Sequence, residues 1–562
     1  MEVDPFWTTI AIKAATIDER LSGKYAPVMT DVPNASDHVG PSNDQVQENL
    51  KNWCDYATNG DRDLFARRLA RDGLNEDDVA PFMGDLCLAD GEELPEWVET
   101  ARWIFERIVA GDNAKAETCP PDISQKVPFA DFFWPVVVGA RHRTKRDTSR
   151  NLRPDAQSDL DRILILRMAQ VYELTLFESF TSYRQAVGVL GTEITGSAHY
   201  EAFKSALRNG PFANLIAARP VMIRLLAVIV DQWIATSSAF VNRLEADIAG
   251  LVREFPELQD GGKVQAITGG ISDPHNHGKM VLILRFENGE KIVYKPRPIT
   301  AEAAWRGLSD WFDQASDDIR LGAAKVWPRG DYGWMRFVKQ QTSLSYDQAP
   351  GFYRAAGQLL AIMYCLKGSD MHHENILLAD GRPVVIDLET LFQPELRLLH
   401  GAATALHAQE LAQHQLDGGV FAVGLLPRSK QEGGFWIDDG GLACAKPQTV
   451  RVPKFRSLNH DDMVREWVEE EKSLSGLPIT IAGEPADIAL YADDVLAGFS
   501  DTIRFLDANK AAYLAKGGPV DGFSDVSIRH VMRPTAYYQE LERAAYIPQN
   551  QENGFVWSLN FE

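Results

Sequence analysis

The sequence predicts an α+β protein, with a mostly helical N-terminal region over residues 1–260 and a mixed strand-and-helix body over residues 261–562. Three observations carry this expectation. Apolar residues recur every three to four positions in Asp159 to Phe180 and Pro220 to Leu244, where strong helix formers dominate. The texture changes at Gly261-Gly262, after which short β-branched and aromatic runs alternate with helical ones. Two of those runs flank Asn288-Gly289, a strong short-range hairpin signal.

Taken in order, loops rich in Pro, Asp, Asn and Gly are expected at Thr30 to Asn43 and Gly111 to Asp122. Met280 to Phe286 and Lys291 to Lys295 form the first hairpin. A helix follows with Thr300 as its N-cap and Ala303, Leu308, Trp311 and Phe312 turned inward. Lys325 to Trp327 and Gly333 to Val338 read as a second strand pair. Phe352 to Leu366 reads as a helix and Gly368 to Glu374 as a polar loop. Ile376 to Leu378 and Val384 to Leu388 then pair through a turn at Asp380-Gly381.

Composition excludes several functions. A chain of 562 residues buries about three quarters of its unfolded surface, enough for self-sufficient cores. With 57 Lys and Arg against 79 Asp and Glu, the net charge of −22 argues against a nucleic-acid partner, which needs a basic face. The five cysteines form no C-x-x-C pair, so neither a disulfide framework nor a zinc site is expected. The first residues lack a signal-peptide pattern, and Leu215 to Ala235 carries Arg219, Arg224 and Asp231, short of a clean membrane span. A cytoplasmic protein is expected.

The chemistry concentrates in Asp370-Met-His372-His373-Glu374-Asn375, followed by an apolar hairpin and Asp387-Leu-Glu389. An aspartate, an asparagine five residues later and a second aspartate beyond a hairpin is the order in which kinases place a base and two metal ligands. One carboxylate must face the hydroxyl nucleophile, while an amide oxygen and another carboxylate hold Mg²⁺ over the triphosphate of ATP. Upstream, Lys295 ends a strand where a kinase lysine meets phosphate, with Arg297 close by. Singly, each has a plain structural reading: a surface lysine, a turn-forming aspartate, a capping asparagine. There is no G-x-G-x-x-G loop before Lys295, no Phe-Gly after Asp387 and no A-P-E, which disfavours an ordinary protein kinase.

Two further motifs lie outside that set. Asp273-Pro-His275-Asn276-His277-Gly278 precedes the first hairpin, where a phosphate-covering loop belongs. Arg529-His-Val-Met-Arg533-Pro-Thr535-Ala-Tyr537-Tyr538 offers two arginines, expected on successive helical turns, that can fork onto phosphate. The same arginines can instead pair with acidic side chains of a neighbouring helix.

Together, Asp273-x-His275-Asn276-x-Gly278, Tyr294-Lys295-Pro-Arg297, Asp370-x-His372-x-x-Asn375, Asp387-x-Glu389 and Arg529-x-x-x-Arg533-Pro-Thr535 resemble the dehydratase domain of class II lanthipeptide synthetases, the LanM family. The resemblance spans roughly Gly261 to Tyr538. It implies an atypical lipid-kinase-like, two-lobed catalytic domain. It also implies a two-step reaction on a ribosomal precursor peptide bearing a leader: ATP phosphorylates Ser or Thr, and phosphate is then eliminated to leave dehydroalanine or dehydrobutyrine. By the same resemblance Lys295 positions phosphate, Asp370 is the base of the first step, and Asn375 and Asp387 hold Mg²⁺. His372 and Glu389 complete that site, and Asp273, His275, Arg529 and Thr535 serve mainly elimination.

The sequence departs from the family in two ways. It contains no Cys-His-Gly zinc motif of the cyclase domain, so ring closure is expected to be absent or supplied by a separate cyclase. Only 27 residues follow Thr535, so the C-terminal lobe is expected to be incomplete. Two other functions fit fewer motifs: a small-molecule phosphotransferase related through the Asp370 to Asn375 loop alone, and a nucleotide-binding pseudoenzyme that binds a precursor peptide through its helical N-terminal region.

Overall fold

The computed structural model describes residues 4–28, 43–111, 117–144, 149–191, 195–270, 272–394, 416, 418–427, 429–432, 435–438, 440–442, 448–472, 479–530 and 535–562. The fold is α+β, as expected. Five helices frame the N-terminal part: α1 (Pro5–Lys13), α2 (Trp97–Val109), α3 (Ala130–Arg143), α4 (Pro154–Ala186) and α5 (Pro220–Glu254). Both long helices begin with proline at the first position, where the missing N–H costs nothing and the fixed φ suits the helix. By length and composition α5 is apolar enough to cross a membrane. Its Val221, Ile223, Leu226, Val230, Trp233, Phe240 and Leu251 are instead buried in one hydrophobic core with α2, α3 and α4, the setting of a core helix. The loop expected at Thr30 to Asn43 lies almost wholly outside the described residues.

A five-stranded antiparallel sheet packs on these helices. Its strands are β1 (Val264–Thr268), β2 (Leu282–Phe286), β3 (Lys291–Lys295), β4 (Val326–Pro328) and β5 (Gly333–Arg336), in the order β1-β2-β3-β5-β4. Register pairs Leu282 with Tyr294 and Lys295 with Gly333. The period of two divides the residues cleanly. Leu282, Leu284, Ile292, Tyr294 and Trp334 join the helical core. Ile283, Val293, Lys295 and Met335 line a cavity on the other face. Tyr294 packs on Phe240 of α5 and accepts a hydrogen bond from Arg243 at 2.8 Å, so the strand ending in Lys295 is fixed from behind.

Below the cavity a second core gathers α6 (Thr300–Ala315), α7 (Ala349–Cys365), the hairpin of β6 (Ile376–Ala379) and β7 (Arg382–Val385), and α8 (Ala492–Ala508). Helices α7 and α8 touch through glycines. A Cβ on Gly357 would lie 2.0 Å from the Val495 carbonyl oxygen, and one on Gly498 2.0 Å from that of Arg354. Ile299, not Thr300, occupies the N-cap of α6, and no side chain caps it. The helix instead gains Glu302 in its first turn, where a carboxylate suits the dipole. Helix α9 (Thr535–Ala545) and a final short helix, α10 (Gly554–Leu559), carry the chain back to the N-terminal part, where Ile17 N–H donates to Ser558 Oγ at 3.1 Å.

Candidate active site

The cavity between the two cores has a volume of about 840 Å³. Its roof is apolar, made by Val281, Ile283, Val293, Met335 and Phe337. Asp273 and His275 border it from the loop ahead of β2. That loop closes on itself, with His275 and Lys279 exchanging backbone hydrogen bonds at 2.9 and 2.8 Å. Asn276, His277 and Gly278 between them all have positive φ. Only glycine fits at 278: φ is +78°, and a Cβ would stand 2.8 Å from Gln232 Oε1 on α5 and 3.0 Å from Arg167 on α4. The loop is thereby seated on the helical region.

Lys295 is buried at the end of β3. Its ammonium donates to Glu302 Oε1 at 3.0 Å and to the Ile386 carbonyl at 2.6 Å. Burial alone would push the Glu302 carboxyl up, but Lys295 and Arg297 together outweigh it and hold its pKa at about 2. Arg297 stands beside the lining. It donates to Glu302 at 2.8 Å and Asp387 at 3.1 Å, and it pairs with Glu389. Glu389 is raised by burial and by Asp387 in spite of that arginine.

Asp370 adopts a left-handed conformation, φ +63°. The turn is tied down on both sides: Met371 N–H donates to the Val423 carbonyl at 2.9 Å, and Asn375 Nδ2 to the Asp370 carbonyl at 2.8 Å. With its amide nitrogen so committed, Asn375 has its oxygen left to offer. His372 Nε2 lies 3.5 Å from Asp370 Oδ1. Burial raises the Asp370 carboxyl, and Asp387 adds to this against the pull of His372 and Arg529. Asp370, His372, Asn375 and Asp387 all line the cavity. Mg²⁺ keeps waters and phosphate oxygens in its shell and takes one or two protein ligands, a demand that an amide oxygen and a carboxylate meet.

Arg529 also lines the cavity, next to the segment that presents Asp387. It is not on a helix: it runs in an irregular segment, and its N–H donates to the Glu389 carbonyl at 2.7 Å. The expected helical placement of Arg529 is therefore not met, because its N–H bonds the Glu389 carbonyl instead of a helical one. Its guanidinium reaches His275 Nε2 at 3.3 Å, joining the two motifs that lay outside the kinase pattern. Burial and this cation lower the His275 pKa, against Asp273 and Asp387. Arg533 and the Thr535 side chain lie outside the described residues.

Of the residues singled out from sequence, Asp273, His275, Lys295, Asp370, His372, Asn375, Asp387 and Arg529 share this one cavity. Sequence reasoning missed Glu302, Gln340, Glu374 and His530, and the Tyr538, Gln539 and Glu542 face of α9, which also line or brace it. An acidic residue in the first helical turn after a strand-ending lysine was the available signal for Glu302.

Residues 220–562 match a family model described as a domain of unknown function, DUF4135. Over 349 residues, 58% of this chain, the sequence is 25% identical to the lacticin 481/lactococcin biosynthesis protein LcnDR2 of Lactococcus lactis subsp. lactis. The match covers 36% of that protein, so the chain spans about a third of the relative's length. Both findings bear out the resemblance to LanM-type lanthipeptide synthetases, and the motifs that carry it all fall inside residues 220–562. With more than half of its length matched, the chain belongs to the DUF4135 family.

Proposed function

We propose that this chain is a lanthipeptide-type dehydratase: it phosphorylates Ser or Thr of a ribosomal precursor peptide and then eliminates the phosphate. One observation carries the reading. Lys295, braced from behind by buried Glu302, the Asp370–Asn375–Asp387 set and the joined His275–Arg529 pair face one cavity of about 840 Å³. The first two are what phosphoryl transfer asks for, and the third has no use in a simple phosphotransferase. ATP with Mg²⁺ would supply the phosphoryl group and neutralise its charge, held by Lys295, Asn375 and Asp387 beneath the apolar roof.

In the first step Asp370 takes the proton of the substrate hydroxyl. Its raised pKa brings it nearer to neutrality, where a general base works best. His372 holds it in place. In the second step Arg529, steadied by His275, draws off the departing phosphate, and Thr535 at the start of α9 adds a hydroxyl. Such donors act where charge develops. The fold is read as lipid-kinase-like, with the precursor's leader on the helical region, a separate cyclase as partner, and the cytoplasm as location. The test is mass spectrometry of a candidate precursor peptide, a leader followed by a segment rich in Ser, Thr and Cys, incubated with the chain, ATP and Mg²⁺. Loss of one water per modified residue is expected, and an unchanged peptide refutes the reading.

A further inference from the structure

The α-proton of a phosphorylated serine needs a base, and three histidines line the cavity: His275, His372 and His530. Their hydrogen bonds distinguish them. Arg529 only donates, so at 3.3 Å it occupies the lone pair of His275 Nε2. His372 is engaged at both nitrogens: Nδ1 accepts from Glu374 N–H at 3.2 Å, and Nε2 sits 3.3 Å from Asn375 Nδ2 and 3.5 Å from Asp370 Oδ1.

His530 differs. Gln393 donates its amide N–H to the Arg529 carbonyl at 2.7 Å, which turns its oxygen to His530 Nδ1 at 3.0 Å. That oxygen can only accept, so Nδ1 carries the proton and Nε2 carries the lone pair. Nε2 has no partner among the described residues. The carboxylates Asp273 and Glu542 also reach the cavity, but a carboxyl, with an ordinary pKa of about 4 against about 6.5 for imidazole, is a poorer match for a weakly acidic C–H.

We propose that His530 is the catalytic base of the elimination step, an inference that rests on the dehydratase reading above. His530 Nε2 takes the α-proton, and the C–H electron pair becomes the Cα–Cβ double bond. The Cβ–O bond breaks with its pair going to phosphate, which Arg529 receives, and the imidazolium returns the proton to that phosphate. The α-proton and the leaving oxygen sit on neighbouring carbons, so base and phosphate grip must be close together. Arg529 and His530, consecutive residues of one irregular segment that both line the cavity, satisfy this.

The test uses the full chain, its precursor peptide, ATP and Mg²⁺, with His530→Ala and His530→Gln checked for folding by thermal melting. Phosphopeptide is expected to accumulate, with elimination slowed on the order of 10²–10⁴-fold. Added imidazole should restore elimination to His530→Ala, which a merely structural role would not allow. If a variant yields no phosphopeptide, a synthetic phosphoserine precursor with ADP isolates the second step, and wild-type speed there overturns the proposal. So does elimination by either variant at the wild-type rate, or accumulation that imidazole does not relieve. A wild-type chain that neither phosphorylates nor dehydrates refutes the dehydratase reading instead.

Discussion

Lys295 Nζ lies 3.0 Å from Glu302 Oε1, with each side chain only 4% exposed. The same ammonium holds the Ile386 carbonyl, so a sheet residue is fastened to the segment that presents Asp387. Removing one partner of a buried pair strands the other charge. Glu302→Gln is expected to cost about 3–5 kcal/mol, read from denaturant unfolding, and to depress ATP turnover more than the melting shift alone explains. Turnover and stability both at wild-type level would contradict this.

The same carboxyl sets an acid limit. Its folded pKa near 2 is below the ordinary 4.5, so it contributes stability that is complete above about 4.5 and lost as pH falls toward 2. Acid unfolding followed by circular dichroism should show this contribution in the native chain, and Glu302→Gln should flatten that part of the curve.

On the proposed mechanism, Asp370→Asn removes the base of the first step while keeping its size. Phosphorylation of the precursor should fall on the order of 10²–10⁴-fold with little change in melting temperature. A peptide already phosphorylated should still lose phosphate, which direct mass measurement can follow.

Arg529→Ala should shift the products from dehydrated to phosphorylated peptide. Loss of one preorganised donor on the departing phosphate is expected to slow elimination on the order of 10²–10³-fold. Because His275 loses its partner too, His275→Ala should show part of the same defect, and the double variant should be less than additive.

Gly357→Ala addresses packing rather than chemistry. The added methyl meets the Val495 carbonyl of α8, so the two helices must separate. A loss of about 1–3 kcal/mol is expected in chemical denaturation, with similar behaviour for Gly498→Ala.

The local pattern of the site was legible wherever chemistry forces a spacing. Asp370, Asn375 and Asp387 declare themselves because a loop and a tight hairpin must present all three, and Asp380-Gly381 supplies the positive φ values that turn requires. Glu302 was not legible, since an acid in a first helical turn is commonplace and only the tertiary approach of β3 to α6 gives it a partner. The conformation at Arg529 was misread for a related reason. Helical spacing of two arginines is a local signal, and a long-range hydrogen bond to Glu389 overrides it. His530 passed unnoticed because its tautomer is set by Gln393, more than a hundred residues away in sequence.

The sharing of one hydrophobic core by the sheet and the N-terminal helices has a mechanical consequence. In a molecule whose upper sheet stands alone, that sheet can rock to admit nucleotide. Here the roof of the cavity is part of the heavier body, anchored through Tyr294, Trp334 and the loop at Gly278. Any opening of the cleft would then have to displace the second core against a roof fixed to the helices.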